Sequence, residues 1–309
     1  MMGESHPQGT AERQPRAPQL LELAQWVAQR CSEAGLHPTP LPALSLIRAD
    51  QTVDHLPAIY EPSLCVVVQG RKRALLGDEQ FEYNPGHFLV VSMTLPVIAQ
   101  ITEASPQRPY LCLRLEIDAG AVADLLMQSA PEPVAAAGRG LYLESMSQEL
   151  ADAFLRLLRV LDQPAELSVL APMLTREIYF RVLGSSMGAR LRDLVDSASH
   201  ARRIAAAIEL IKQRFDQNFS VAEIAEQVHV SPSTLHHRFK ALTAMTPLQF
   251  QKQLRLHEAR RLMLSEGLGA ASAGHRVGYG SPSQFSREYR RLFGQPPRRA
   301  LQLLGPHAA

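Results

Sequence analysis

The chain has 309 residues, 46% of them apolar and 20% charged, with a formal net charge of +2. That length predicts two domains, because single cores usually stop growing near ~250 residues. The net charge hides an asymmetry: residues 201–309 hold 16 Lys/Arg against 7 Asp/Glu, and residues 1–200 hold 16 against 23. A basic half joined to an acidic one predicts an anionic partner for the C-terminal half alone. No stretch reaches the roughly 18 apolar residues of a membrane helix. The three cysteines, Cys31, Cys65 and Cys112, have neither zinc-ligand spacing nor the pattern of a disulfide framework.

Residues 1–20 carry no apolar core of a signal peptide and read as a flexible tail, which predicts a cytoplasmic protein. From about 44 to 118 the text consists of short apolar runs broken by turn residues: "SLCVVVQG", "RKRALLGD", "HFLVVSM", "PVIAQITE", "YLCLRLEI". That pattern predicts a small antiparallel barrel or sandwich. In "YLCLRLEI", Cys112 shares a face with Arg114 and Glu116, and a neighbouring arginine lowers a thiol pKa. Cys65 shares its face with Val67 and Gln69. Two readings of Cys65 and Cys112 stand side by side: small packing residues, or sensors of electrophiles and oxidants. A metal-dependent enzyme needs several histidines and a carboxylate converging on one ion. The barrel segment offers only His55 and His87, far apart. No metal, cofactor or catalytic residue is therefore assigned. Residues from about 120 to 185 are helical in period, with Phe154, Leu157, Leu158 and Leu161 on one stripe and Leu174, Ile178 and Val182 on another. A linker is predicted over 191–202.

Beyond it, "ARRIAAAIELIKQRF" places Ile204, Ile208 and Ile211 at helical spacing. "FSVAEIAEQVHV" opens with Ser220 as a cap and Glu223 three residues on, a capping-box pair. "SPSTLHHRFKALTAMTP" follows, with Ser231 as N-cap, Pro232 at the first helical position, and Leu235, Phe239 and Leu242 on the buried face. Fifty residues later "SPSQFSREYRRLFGQPP" repeats the plan with Ser281, Pro282, Phe285, Tyr289 and Leu292. Between them "TPLQFQKQLRLHEARRLML" reads as one helix, capped by Thr246 and about 27 Å long from Pro247 to Leu264. Two helix-turn-helix units on such a rod suit successive major grooves, which lie ~34 Å apart on one face of B-DNA.

These C-terminal stretches resemble the DNA-binding domain of the AraC/XylS family of bacterial transcription regulators over about residues 203–303. "PSLCVVVQGRK", "YNPGHFLVVS" and "PYLCLRLEID" resemble the N-terminal domain of one branch of that family. The resemblance implies an α+β chain: a cupin-like β-barrel with appended helices over 21–190, then an all-α double helix-turn-helix domain and a short tail at 304–309. It also implies double-stranded promoter DNA as partner, a small-molecule effector, a homodimer and contact with RNA polymerase. One departure is "EGLGAASAGHRVGY", where Gly267, Gly269 and Gly274 stand in place of the family's apolar text. A helical glycine costs roughly 1 kcal/mol against alanine, so a short first helix is expected in the second unit.

In this geometry the outward N-terminal residues of each second helix reach base edges: Ser233, Thr234, His236 and His237, and Ser283, Gln284, Ser286 and Arg287. Arg287 suits guanine; Lys240, Arg290 and Arg291, toward the helix ends, suit phosphates. Two other classes stand beside this one: a cupin-like enzyme carrying a nucleic-acid-binding module, which lacks a convergent catalytic set, and an architectural DNA binder that needs no effector.

Overall fold

A computed structural model describes residues 17–128, 139–185 and 199–299. The predicted tail over 1–16, most of the predicted linker and residues 300–309 lie outside them. Helix α1 (Ala17–Arg30) begins inside the stretch read as tail. Leu23, Val27 and Cys31, at four-residue spacing, are each 0% exposed. That stripe is enough to hold the helix against the sheet.

Among the described residues the strands are β1 (Gly35–Pro38), β2 (Leu44–Ala49), β3 (Val53–Tyr60), β4 (Ser63–Gln69), β5 (Arg71–Leu76), β6 (Glu79–Tyr83), β7 (His87–Val91), β8 (Leu95–Glu103), β9 (Tyr110–Glu116) and β10 (Leu141–Ser145). They form two antiparallel sheets, ordered β1-β2-β9-β4-β7-β10 and β3-β8-β5-β6. The barrel expected from the sequence is thus open, two sheets facing one another. It also reaches beyond 44–118: β1 precedes that window, and β10 follows it to pair with β7. β10 escapes sequence reading because "LYLES" is a short run isolated among helical text.

Helix α2 (Ala119–Met127) is capped by Asp118, whose carboxylate accepts from Gly120 and Ala121. Helices α3 (Gln148–Val160) and α4 (Pro164–Gly184) pair beside the larger sheet. Their predicted stripes are buried at Phe154, Leu157, Leu158, Leu161, Ile178 and Val182, with Leu174 half-buried. The Tyr179 hydroxyl fixes α4 to the sheet, donating to the Glu116 carbonyl at 2.6 Å and accepting from the Asp118 amide at 3.1 Å.

The C-terminal half is helical throughout: α5 (His200–Gln213), α6 (Val221–Gln227), α7 (Pro232–Thr243), α8 (Pro247–Ser265), α9 (Ala270–Arg276) and α10 (Pro282–Phe293). Ser199 caps α5 within the predicted linker. One buried cluster joins the halves. It runs from Val91, Met93, Leu95 and Leu141 of the sheets into Ile204, Ile208 and Ile211 of α5 and on to Leu235, Phe239 and Phe250. A separate cluster around Leu256, Ala259, Tyr279, Phe285 and Tyr289 holds the second unit.

Candidate nucleic-acid interface

The repeated text becomes repeated geometry. Ser231 accepts from the Thr234 amide and Ser281 from the Gln284 amide, each with proline at the first turn. Capping oxygens of this kind satisfy amides that no helical carbonyl reaches. Leu235, Phe239 and Leu242 are 0%, 0% and 5% exposed; Phe285, Tyr289 and Leu292 are 1%, 0% and 8%. Both helices end in a left-handed residue, Ala244 at φ 62° and Gly294 at φ 76°. Upstream, Val230 donates to the Ala225 carbonyl at 3.0 Å and Tyr279 to the Gly274 carbonyl at 2.9 Å, so the two turns close alike. Each turn needs a positive φ, met by His229 at 55° and by Gly278 at 88°. The glycine is obligatory at 278, since a Cβ there would overlap the Asp216 carbonyl oxygen.

Helix α9 has seven residues, the same length as α6 in the first unit. Gly267 and Gly269 lie outside it, Gly269 as its N-cap. Gly274 lies within it for a packing reason: a Cβ would stand 2.9 Å from the Phe285 ring. Of the glycines that depart from the family's text, Gly274 therefore sets close helix contact, and α9 keeps the length of α6.

Helix α8 spans 19 residues, about 28 Å, with Thr246 and Gln249 completing a capping box. Arg255, which the sequence reading passed over, is 9% exposed and ties both units to this rod. Its guanidinium donates to the Phe215 carbonyl at 2.6 Å, to Gln217 at 2.9 Å and to Gly278, in the second unit's turn, at 3.1 Å. Gln251 donates to the same Phe215 and Gln217 carbonyls. His257 faces the Phe293 ring at 5.2 Å, and Arg260 lies over that ring at 4.8 Å. Burial, helped by the Arg260 charge, pulls the His257 pKa down to about 4.

Of the predicted base-reading residues, Ser233, His236, His237, Ser283, Ser286 and Arg287 are exposed, while Thr234 and Gln284 are half-buried. Thr234 and Ser233 bond their hydroxyls to Ser231 at 2.8 and 3.0 Å, so they serve the cap. Gln284 donates to Glu288 at 3.2 Å. Glu288 was also missed from the sequence; it accepts from Tyr279 at 2.9 Å and pairs with Lys252 at 3.0 Å. Lys240, Arg287, Arg290 and Arg291 are exposed and make no ion pair with any described residue. Unpaired cations on the helix face suit a polyanion, whose phosphates complete them.

The far ends of both helices are held by the N-terminal half. Arg139 donates to the Lys240 and Ala241 carbonyls at 3.2 Å each, and the Gly140 amide donates to Leu242 at 3.0 Å. His55 on β3 donates to the Leu292 carbonyl of α10 at 2.8 Å. His87 bonds Asn84 at 2.9 Å, so both barrel histidines have structural partners.

Inside the open barrel, Ile47, Tyr60, Cys65, Lys72, Tyr110 and Cys112 are among the residues enclosing a cavity of about 130 Å³. Cys65 and Cys112 lie diagonally across the β4–β9 pair, Cys65 opposite Arg114 and Val67 opposite Cys112. The Cys112 thiol beside it, with Lys72 nearby, lowers the Cys65 pKa to about 7 despite burial. Cys112 is pushed up in turn, by that same contact and by burial. A second, larger crevice of about 450 Å³ opens between α2 and α5.

Two family models match the chain. The model for the AraC-type transcriptional regulator N-terminus covers residues 40–190, and a helix-turn-helix domain model covers 224–302. A putative AraC-like transcription regulator of Streptomyces lividans is 35% identical over 94 residues, 30% of this chain and 31% of that protein. The arabinose operon regulatory protein of Escherichia coli is 29% identical over 96 residues, 31% of this chain and 33% of that protein. The matched segments thus span about a third of the length of these curated relatives. Unsaturated fatty acid-bound ToxT of Vibrio cholerae shares the fold, with a TM-score of 0.59 and 10% identity over 86% of this chain and 96% of that one. The AraC-type N-terminus and the helix-turn-helix units occur in one chain, in that order, beside AraC-like relatives: this chain belongs to the AraC family of transcriptional regulators.

Proposed function

We propose that the chain is a sequence-specific, cytoplasmic transcription regulator: residues 203–303 bind promoter DNA and residues 21–190 sense a small molecule and dimerise. The observation that carries the reading is the duplicated helix-turn-helix unit with unpaired cations on its exposed face. His236, His237, Ser286 and Arg287 are the base-reading residues; Lys240, Arg290 and Arg291 hold phosphates. Ser233, Thr234, Ser283 and Gln284 support the helix starts and reach bases only where their local bonds allow. ToxT, a protein of the same fold, has been seen with a bound fatty acid, in line with small-molecule control here. Promoter regulation also makes RNA polymerase a partner. Selection of bound sequences from random DNA, with and without cell extract, tests the reading. A two-part consensus whose enrichment changes with extract is expected; no enrichment at physiological salt contradicts it.

An exposed apolar stripe on α4 supports the dimer. Val169, Met173 and Phe180 are 62%, 63% and 58% exposed and fall on one stripe of that helix.

A second reading rests on the two thiols, side by side with Cys65 lowered to about 7. In it, Cys65 adds to an electrophile or is oxidised, and the barrel wall shifts. A Cys65→Ser/Cys112→Ser variant that still responds fully to its inducer rules this out.

A further inference from the structure

Lys72 breaks the pattern of its own strand. In β5, inward and outward positions alternate, and Lys72 shares the buried face with Ala74 and Leu76. The residue is 9% exposed, and its ammonium lies 5.2 Å from the Tyr60 ring and 5.7 Å from the Tyr110 ring. No carboxylate pairs with it among the described residues. Glu61 borders the same cavity, but its carboxylate accepts from Thr94 at 2.6 Å and pairs with Lys212 of α5 at 3.0 Å. The polar neighbours of Lys72 are the Tyr60 hydroxyl and the Cys65 and Cys112 thiols, and a buried ammonium without a carboxylate partner is costly. Two polar atoms near it lack a hydrogen-bond partner among the described residues: the Tyr110 hydroxyl, on a residue 0% exposed, and the Arg114 Nε, whose guanidinium otherwise pairs with Glu116. Both residues line the cavity. The space is about 130 Å³, near the roughly 150 Å³ that accommodates benzene in an engineered apolar cavity.

We propose that this cavity binds a small organic monoanion, its charge on Lys72 and its apolar body among Tyr60, Tyr83 and Tyr110, and that β3 passes its occupancy to the DNA-binding half. Strand β3 is suited to that task. Its end, Ala58 to Tyr60, walls the cavity, and the next residue, Glu61, carries the latch to Lys212 on α5. Its start carries His55, which holds the last turn of α10. A negative charge on Lys72 repels the Glu61 carboxylate toward Lys212 and so tightens the latch. Binding is reversible and needs no covalent step. Coupling of this kind is reciprocal: an anion that changes DNA affinity has its own affinity changed by DNA. The coupling half of the proposal rests on the regulator reading; the anion site stands without it.

The test is calorimetric titration of the full-length protein with benzoate, and with benzyl alcohol as its uncharged counterpart. Wild type is expected to bind benzoate, with Lys72→Met and benzyl alcohol each weakening binding at least tenfold. Cys65→Ser/Cys112→Ser, in which no thiolate competes for Lys72, is expected to bind benzoate at least as tightly as wild type. If Lys72→Met binds like wild type, if wild type binds neither probe, or if only the double serine variant binds, the anion site is wrong. The last result would make a Cys65 thiolate the true partner of Lys72. These titrations contain no DNA, so their failure leaves the regulator reading intact. With the selected DNA added, benzoate is expected to change wild-type affinity at least threefold and to leave Glu61→Gln unchanged. An equal response in both overturns the coupling.

Discussion

Arg287 stands exposed on α10 with no carboxylate partner among the described residues, a planar donor fork free to meet a base edge. Arg287→Ala is expected to relax preference at one base pair by about 1–3 kcal/mol. Lys240→Ala is expected to weaken binding evenly across sequences and to flatten its salt dependence by about one unit. A panel of single-base operator variants titrated at several salt concentrations separates the two outcomes. His257 makes a different prediction. Its pKa is about 4 in the fold and about 6.5 unfolded, so the folded state binds fewer protons between those values. Stability from this group is complete above about pH 7 and is lost as pH falls through 6.5 toward 4, on the order of 3 kcal/mol. Urea melting across that range should show the slope in wild type and a shallower one in His257→Phe. The exposed members of the candidate site were legible because helical spacing alone fixes which side faces out. Glu288, Arg255 and the capping bonds of Thr234 were not, because their roles depend on partners far along the chain or on rotamers.

At the scale of elements, the starts of four of the six described C-terminal helices were legible, while those of α5 at Ser199 and α9 at Gly269 were not. Serine or threonine followed by proline marks three helix starts, and Ser220 with Glu223 marks a fourth. Such signals are local, and local chemistry survives into the fold. The glycines show where that stops. Gly274 looks costly for a helix, yet the Phe285 ring occupies the space a Cβ would take. Gly278→Ala is expected to destabilise the chain by more than about 1 kcal/mol, since its φ is positive and its Cβ meets backbone. A denaturant melt compared with that of Gly267→Ala, at an open position, isolates the collision from the φ strain. The β region was legible as an antiparallel barrel or sandwich, but its strand order and the membership of β1 and β10 were not, because strand order depends on long-range pairing that no local text records.

At the scale of the molecule, the two halves share buried side chains, and the N-terminal half holds the last turns of both recognition helices. Nothing in the sequence pointed to Arg139, Gly140 and His55 as their holders, since the contacts span 101, 102 and 237 residues in the bonds from Arg139 to Lys240 and Ala241 and from His55 to Leu292. A signal sensed in the barrel thus has a direct mechanical route to the helices. Dimerisation is expected through the exposed stripe of α4. Met173→Glu/Phe180→Glu should sediment as a monomer at concentrations where wild type is a dimer, and equal sedimentation would place the interface elsewhere.

In the function proposed, a stiff α8 fixes two reading helices at one separation on the same face of DNA. The most direct measurement is affinity for the selected site with 0, 5 or 10 base pairs inserted between its halves. Both insertions are expected to reduce binding to that of a single half-site, because the rod can neither turn nor stretch. Affinity unchanged by the five-base-pair insertion would contradict it.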